Sequence, residues 1–126
     1  MDRKPIETTG APAPIGPYSQ AVACGDMLFL SGQIALDPST GVLVTGDIAA
    51  ETHQVMRNLR AVLQVAGMDF PNVVKTTIFL ADMSLFGQVN DVYAYYLTGD
   101  FPARETVAVK GLPRGVNVEI SMVACR

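Results

Sequence analysis

Histidine is almost absent from this sequence: His53 is the only one, and tryptophan does not occur. A single imidazole removes paired-histidine acid-base chemistry and most zinc patterns, whose ligand sets draw on several His and Cys. The aspartates Asp26, Asp37, Asp47, Asp82, Asp91 and Asp100 form no D-x-D cluster and fall mostly at turn or cap positions, where a short carboxylate bonds to nearby backbone. A metal site is not expected. A phosphate-cradling loop is missing as well, because GAPAPIG lacks the strand before it and the helix after it that such a loop needs. Positive charge is thin: nine Lys and Arg are scattered against twelve Asp and Glu, for a net charge of -3. A nucleic-acid partner is therefore not expected, since non-specific affinity comes from neutralised phosphates. Only two cysteines occur, Cys24 and Cys125, far apart and with no secretory stretch ahead of them. They read as free thiols in a reducing, cytoplasmic compartment. No apolar run approaches the roughly 20 residues of a membrane span.

What is present is a chain of 126 residues with 49% hydrophobic content, enough for one core and one domain over 1–126. Residues 1–17, Pro- and Gly-rich in ETTGAPAPIGP, read as an extended lead-in without regular structure. YSQAVAC and MLFLSG read as two strands around a tight turn at Gly25-Asp26, and ALDPSTGVLV holds a second turn from Asp37 to Gly41. Over 48–66, apolar residues recur at three- and four-residue spacing, with Asp47 as N-cap and Gly67 as the stop, which predicts a helix. VVKTTIFLAD reads as a central strand. A second helix over about 84–97 puts Phe86, Val89, Tyr93, Tyr96 and Leu97 on one face, and TVAVK and VNVEISMVA supply further strands around GLPRG. The order β-β, α, β, α, β-β predicts an α+β fold, a mixed sheet with two helices packed on one face. Strand residues of both parities are apolar, so the bare face is expected to meet copies of the same chain.

Three positions invite a chemical reading. His53 shares a helix face with Arg57, Arg60 and Gln64, which predicts a solvated surface side chain. Glu119 sits mid-strand in VNVEISM on the less apolar face; it is an ordinary exposed strand residue unless self-association encloses it, and an enclosed carboxylate must be paired or used. Arg104, in FPARETVAV, cannot lose its charge and needs a partner. Glu105 is a poor one, because adjacent strand residues point to opposite faces. Asn90 falls at the edge of the second helix's apolar stripe, and Tyr18 and Ser31 at strand ends.

Taken together, APAPIGPYSQAV, SGQIALDPSTGVLV, QVMRNLRAVLQVAG, VVKTTIFLADM, VNDVYAYY, FPAR and LPRGVNVEI, in that order from about Ala11 to Ala124, closely resemble the Rid family of reactive-intermediate imine deaminases. Older descriptions of that family are translation-inhibitor and L-PSP endoribonuclease proteins. The resemblance implies a chorismate-mutase-like fold assembled as a homotrimer around a central β-barrel, with clefts between subunits. It implies cofactor- and metal-free hydrolysis of small-molecule 2-imino acids or their enamine tautomers, such as 2-iminopropanoate and 2-iminobutanoate, to 2-oxo acids and ammonia. It further implies that Arg104 forks the substrate carboxylate, that Glu119 activates the attacking water, that Tyr18, Ser31 and Asn90 line the cleft, and that the backbone of Thr106 helps to hold the water. Glu105 and Ser121 depart from the commoner family residues. Two other readings compete: an endoribonuclease, and a non-enzymatic trimer whose cleft binds a carboxylate metabolite.

Overall fold

The structure is a computed structural model that describes residues 2–126. Its strands are β1 (Arg3–Ile6), β2 (Ala21–Cys24), β3 (Met27–Gln33), β4 (Val73–Leu80), β5 (Ala103–Ala108) and β6 (Val118–Cys125), and its helices are α1 (Ile48–Val65) and α2 (Phe86–Tyr95). They form one six-stranded mixed sheet in the order β1-β2-β3-β6-β4-β5. Every pairing is antiparallel except β4 with β5, whose parallel run requires the crossover that α2 provides.

Local chemistry accounts for the elements. Asp47 caps α1 by accepting from the backbone N–H groups of Ala49 and Ala50. At the other end Gly67, at φ +76°, closes a Schellman turn, with Met68 N–H bonded to Leu63 O and Gly67 N–H to Gln64 O. α2 is shorter than its apolar stripe predicts. A 3-10 turn at Met83–Leu85, capped by Asp82, occupies its expected start, while Tyr96 and Leu97 stay packed on the core past its end. Regular structure also reaches into the lead-in. Residues 3–6 form β1 because β2 offers them an open edge, and Pro5 is tolerated there because an outermost strand has one unpaired side.

Both helices lie on one face of the sheet. Val55, Met56, Leu59, Val62 and Leu63 of α1 are fully buried over Leu28, Ile120 and Ala124. Leu59→Ala in such a site costs about 2–5 kcal/mol. Thr76, Ile78 and Leu80 of β4 point to the same side, and Tyr93 of α2 donates its hydroxyl to Thr76 Oγ1 at 2.9 Å. The buried Glu51 of α1 fixes the start of β6, accepting from the Asn117 N–H (2.8 Å), Asn117 Nδ2 (2.8 Å) and Val118 N–H (3.2 Å).

The other face carries Phe29, Phe79, Val107, Glu119, Ser121 and Val123, and no helix covers it. Phe29 is 49% exposed and Val107 42%. Glu105 lies here too, and a hydrogen bond from Thr77, together with an ion pair to Lys75 (3.1 Å), holds its pKa below the usual value. Cys24 and Cys125 are free; each is the cross-strand neighbour of Met27, so about 10 Å, two strand spacings, separates them, beyond the roughly 7 Å reach of a disulfide. The expectation for His53 is corrected: it is half-buried, its Nδ1 is 2.7 Å from the Tyr96 hydroxyl, and its ring packs edge-on against Tyr95 and Tyr96. Among the described residues, no helix is long and apolar enough to cross a membrane.

Candidate active site

Arg104 pairs with Thr76 across the parallel β4–β5 ladder and therefore projects to the helix-covered face. Its Nη1 donates to Asn90 Oδ1 at 2.8 Å, which answers within the protomer the question of what holds it. The guanidinium lies 5.3 Å from the Tyr93 ring centroid and 5.6 Å from that of Phe86, so three α2 residues at helical spacing, Phe86, Asn90 and Tyr93, grip one cation. Among the described residues only Asn90 accepts a hydrogen bond from the guanidinium, which leaves a fork of donors for an anion. Burial raises the pKa of Tyr93, against the opposing influence of Thr76 and Arg104, and keeps its hydroxyl a donor. A cleft of about 440 Å³ opens beside the guanidinium, walled by Ala94, Leu97, Phe101 and Pro102. Glu105 points the other way, as adjacent strand residues must.

Glu119 lies across from Phe79 in the β4–β6 ladder and so projects from the uncovered face. Burial raises the pKa of its half-buried carboxyl above the usual carboxylate value. It lines a second cleft of about 440 Å³ with Tyr18, Ser31, Gly32, Ile15, Pro113 and Arg114. Ser31 is fixed twice, by its hydroxyl donating to Ser19 O (2.6 Å) and its N–H to Gln20 O (2.9 Å), while Tyr18 is 52% exposed.

The residues singled out in the sequence thus fall into two groups. Arg104 and Asn90 meet on the helix side. Glu119, Tyr18 and Ser31 meet on the bare side. Thr106 pairs with Ile78 and belongs with Arg104; its Oγ1 is the one buried side-chain polar atom without a partner among the described residues. Two features escaped the sequence reading. The π faces of Phe86 and Tyr93 were visible only as core positions, although their spacing with Asn90 carried the signal. Gly32 was passed over, although an isolated glycine inside a strand pattern signals a bulge or a close approach.

The family model described as "Endoribonuclease L-PSP" matches residues 8–126, and the chain belongs to that family. Among relatives, a mouse protein named 2-iminobutanoate/2-iminopropanoate deaminase is 53% identical, with 97% of this chain and 90% of the mouse protein covered. The human protein of the same name is 48% identical, over 97% of this chain and 89% of its own. Protein DfrA of Myxococcus xanthus is 55% identical, over 98% and 96%. Among solved structures, YyfA of Yersinia pestis, described as a conserved Rid family protein of unknown function, superposes with a TM-score of 0.96 at 48% identity, covering 99% of this chain and 100% of its own.

Proposed function

We propose that this chain is an imine deaminase that hydrolyses 2-imino acids, 2-iminopropanoate and 2-iminobutanoate among them, to 2-oxo acids and ammonia, and that it works as a homotrimer with its sites between subunits. The observation that carries the reading is the split just described: a guanidinium fork on one sheet face and a carboxylate with a raised pKa on the other, in a family whose near relatives bear the deaminase name. The two groups of one protomer cannot act on one small molecule through the sheet. For the two groups to share one small molecule, the Arg104 cleft of one copy, on its edge strand β5, must meet the uncovered face that carries Glu119 of the next; that contact is head-to-tail, and a closed ring of three, with the sheets forming a chorismate-mutase-like central barrel, repeats it.

In the joint cleft Arg104 binds the substrate carboxylate, a task for a planar bidentate donor, and Asn90 and the rings of Phe86 and Tyr93 keep the fork aimed. The substrate is a protonated imine and already electrophilic at C2. Water, held by Glu119 and the backbone of Thr106, attacks C2; the new C–O bond forms as the C=N π pair moves to nitrogen, and Glu119 takes the water proton. Protonated Glu119 then gives that proton to the amino nitrogen of the carbinolamine. The C–N bond breaks, the hydroxyl lone pair closes the C=O bond, and its proton leaves with ammonia as ammonium. Glu119 returns to the carboxylate, and nothing in the sequence of steps calls on a cofactor. Tyr18 and Ser31 line the wall opposite the fork. The family description also carries an RNA-cleaving reading, which wants a second proton-transfer group beside Glu119; His53 lies on the helix side, committed to Tyr96. The free thiols of Cys24 and Cys125 support a reducing, cytoplasmic setting.

The test generates 2-iminopropanoate and 2-iminobutanoate in situ with an amino-acid oxidase and follows imine loss. Loss faster than in buffer, and dependent on Arg104 and Glu119, is expected; loss at the buffer rate overturns the assignment.

A further inference from the structure

The β3–β6 ladder shifts register between Leu30 and Gln33: Leu30 pairs with Met122 and Gln33 with Ile120, so Ser31 and Gly32 together oppose the single residue Ser121. Strict alternation would send Gly32 into the helix-covered core. The bulge instead turns two consecutive residues, Ser31 and Gly32, towards the face that carries Glu119. A Cβ built on Gly32 would stand 2.9 Å from Glu119 Cδ and 3.1 Å from Cγ, and closer still to Oε2. Real Cβ atoms essentially never approach carboxylate atoms this way, and the atoms in conflict are those that would do the chemistry.

Gly32 is not needed for its backbone. It is absent from the positive-φ glycines, which are Gly25, Gly41, Gly67, Gly99 and Gly115, so an L-residue could adopt its conformation without strain. The requirement is space alone. Glu119 is meanwhile held from behind, because Glu51 ties down the N–H groups of Asn117 and Val118 immediately before it. The strand cannot slide to make room, and any side chain at position 32 must be accommodated by rotating the carboxylate.

From this geometry we infer that Gly32 is a positioning residue of the deamination reaction: the bulge and the missing side chain form the seat that sets where the Glu119 carboxylate stands. The inference rests on the proposed role of Glu119 as base. Binding of the substrate carboxylate belongs to Arg104 on a different strand and should be indifferent to Gly32.

The experiment compares Gly32→Ala, Glu119→Gln, Glu119→Ala and the double variant Gly32→Ala/Glu119→Ala in the imine-loss assay, with calorimetric binding of 2-oxobutanoate and urea denaturation on each. Gly32→Ala should lower kcat on the order of 10- to 100-fold, the scale of an ångström-level misplacement, while 2-oxobutanoate binds with parent affinity. In the Glu119→Ala background, where the conflicting atoms are gone, the added methyl should change neither residual turnover nor stability. The inference is overturned if Gly32→Ala turns over at the parent rate while Glu119→Gln is slow, or if the methyl costs as much with Glu119 removed as with it present, which would mark a merely structural glycine. Parent-rate turnover by Glu119→Gln would instead overturn the base assignment and this inference with it.

Discussion

Arg104→Ala and Glu119→Gln, each nearly inactive alone, should restore one another when assembled together. The reasoning is geometric: Arg104 projects to the helix face with Thr76, and Glu119 to the opposite face with Phe79. If each cleft takes its guanidinium from one subunit and its carboxylate from the next, a cleft in a mixed trimer works when an intact Arg104 from the Glu119→Gln chain faces an intact Glu119 from the Arg104→Ala chain. Random 1:1 assembly fills each side of a head-to-tail contact correctly half the time, so about one quarter of the clefts should be active. The assay unfolds the two variants in urea, mixes them in equal amounts, refolds them together, and measures imine loss against parent protein carried through the same steps. Each variant refolded alone gives the background. Recovery of about a quarter of parent kcat, falling as the ratio departs from 1:1, is the expected result. If the mixture only averages the two backgrounds although mass spectrometry shows mixed trimers, both groups act within one chain and the composite site is refuted.

Four further outcomes follow from the geometry of the protomer. Because burial in the protomer raises the Glu119 pKa, its base form appears only as pH rises through that raised value, so the acid limb of kcat/KM should have its midpoint above 4.5 and vanish in Glu119→Gln; a midpoint at or below 4.5 would show that a cation in the assembled cleft outweighs burial. The same sign makes the ionised form a burden on the fold, so the parent should lose stability relative to Glu119→Gln as pH rises through that range, as urea curves at several pH values would register. Arg104→Ala should lose calorimetric binding of 2-oxobutanoate, about 2 to 5 kcal/mol for a charge-assisted fork, whereas retained binding would take the carboxylate away from Arg104. Glu51→Ala strips three donors at the start of β6 of their acceptor and should cost about 3 to 5 kcal/mol in urea denaturation; a loss under 1 kcal/mol would mean that water replaces the carboxylate there.

The elements that local chemistry specifies were legible from the chain: the Asp47 cap and Gly67 stop of α1, the turn at Gly25-Asp26, and the alternation of β6. What could not be read depends on partners distant in sequence. Residues 3–6 carry no alternating pattern and become a strand only because β2 is there to pair with. His53 looked solvated on the helical wheel of α1, but Tyr96, 43 residues on, closes over it. Arg104 and Glu119 were given site roles by resemblance alone. That they leave the sheet on opposite faces follows from a ladder register, Thr76 with Arg104 and Phe79 with Glu119, which no local spacing encodes.

The two ends of the sheet differ from its bare face in a way that bears on how the chain behaves at high concentration. β1, the outermost strand on one side, presents Arg3, Lys4 and Pro5, and β5, outermost on the other, follows Pro102 and carries Arg104 and Glu105. Charged side chains and a residue without an N–H discourage another strand from docking along either border, so sheets cannot readily extend one another into a ribbon. For the proposed trimer, the apolar patch around Phe29, Phe79 and Val107 is thereby left as the surface to bury, and a contact through a face can close into a finite ring where a contact through a border would propagate without limit. Replacing Lys4 or Pro5 with a β-branched apolar residue would remove that restraint, and the first symptom would be fibrous precipitate from a protein whose fold and clefts were intact.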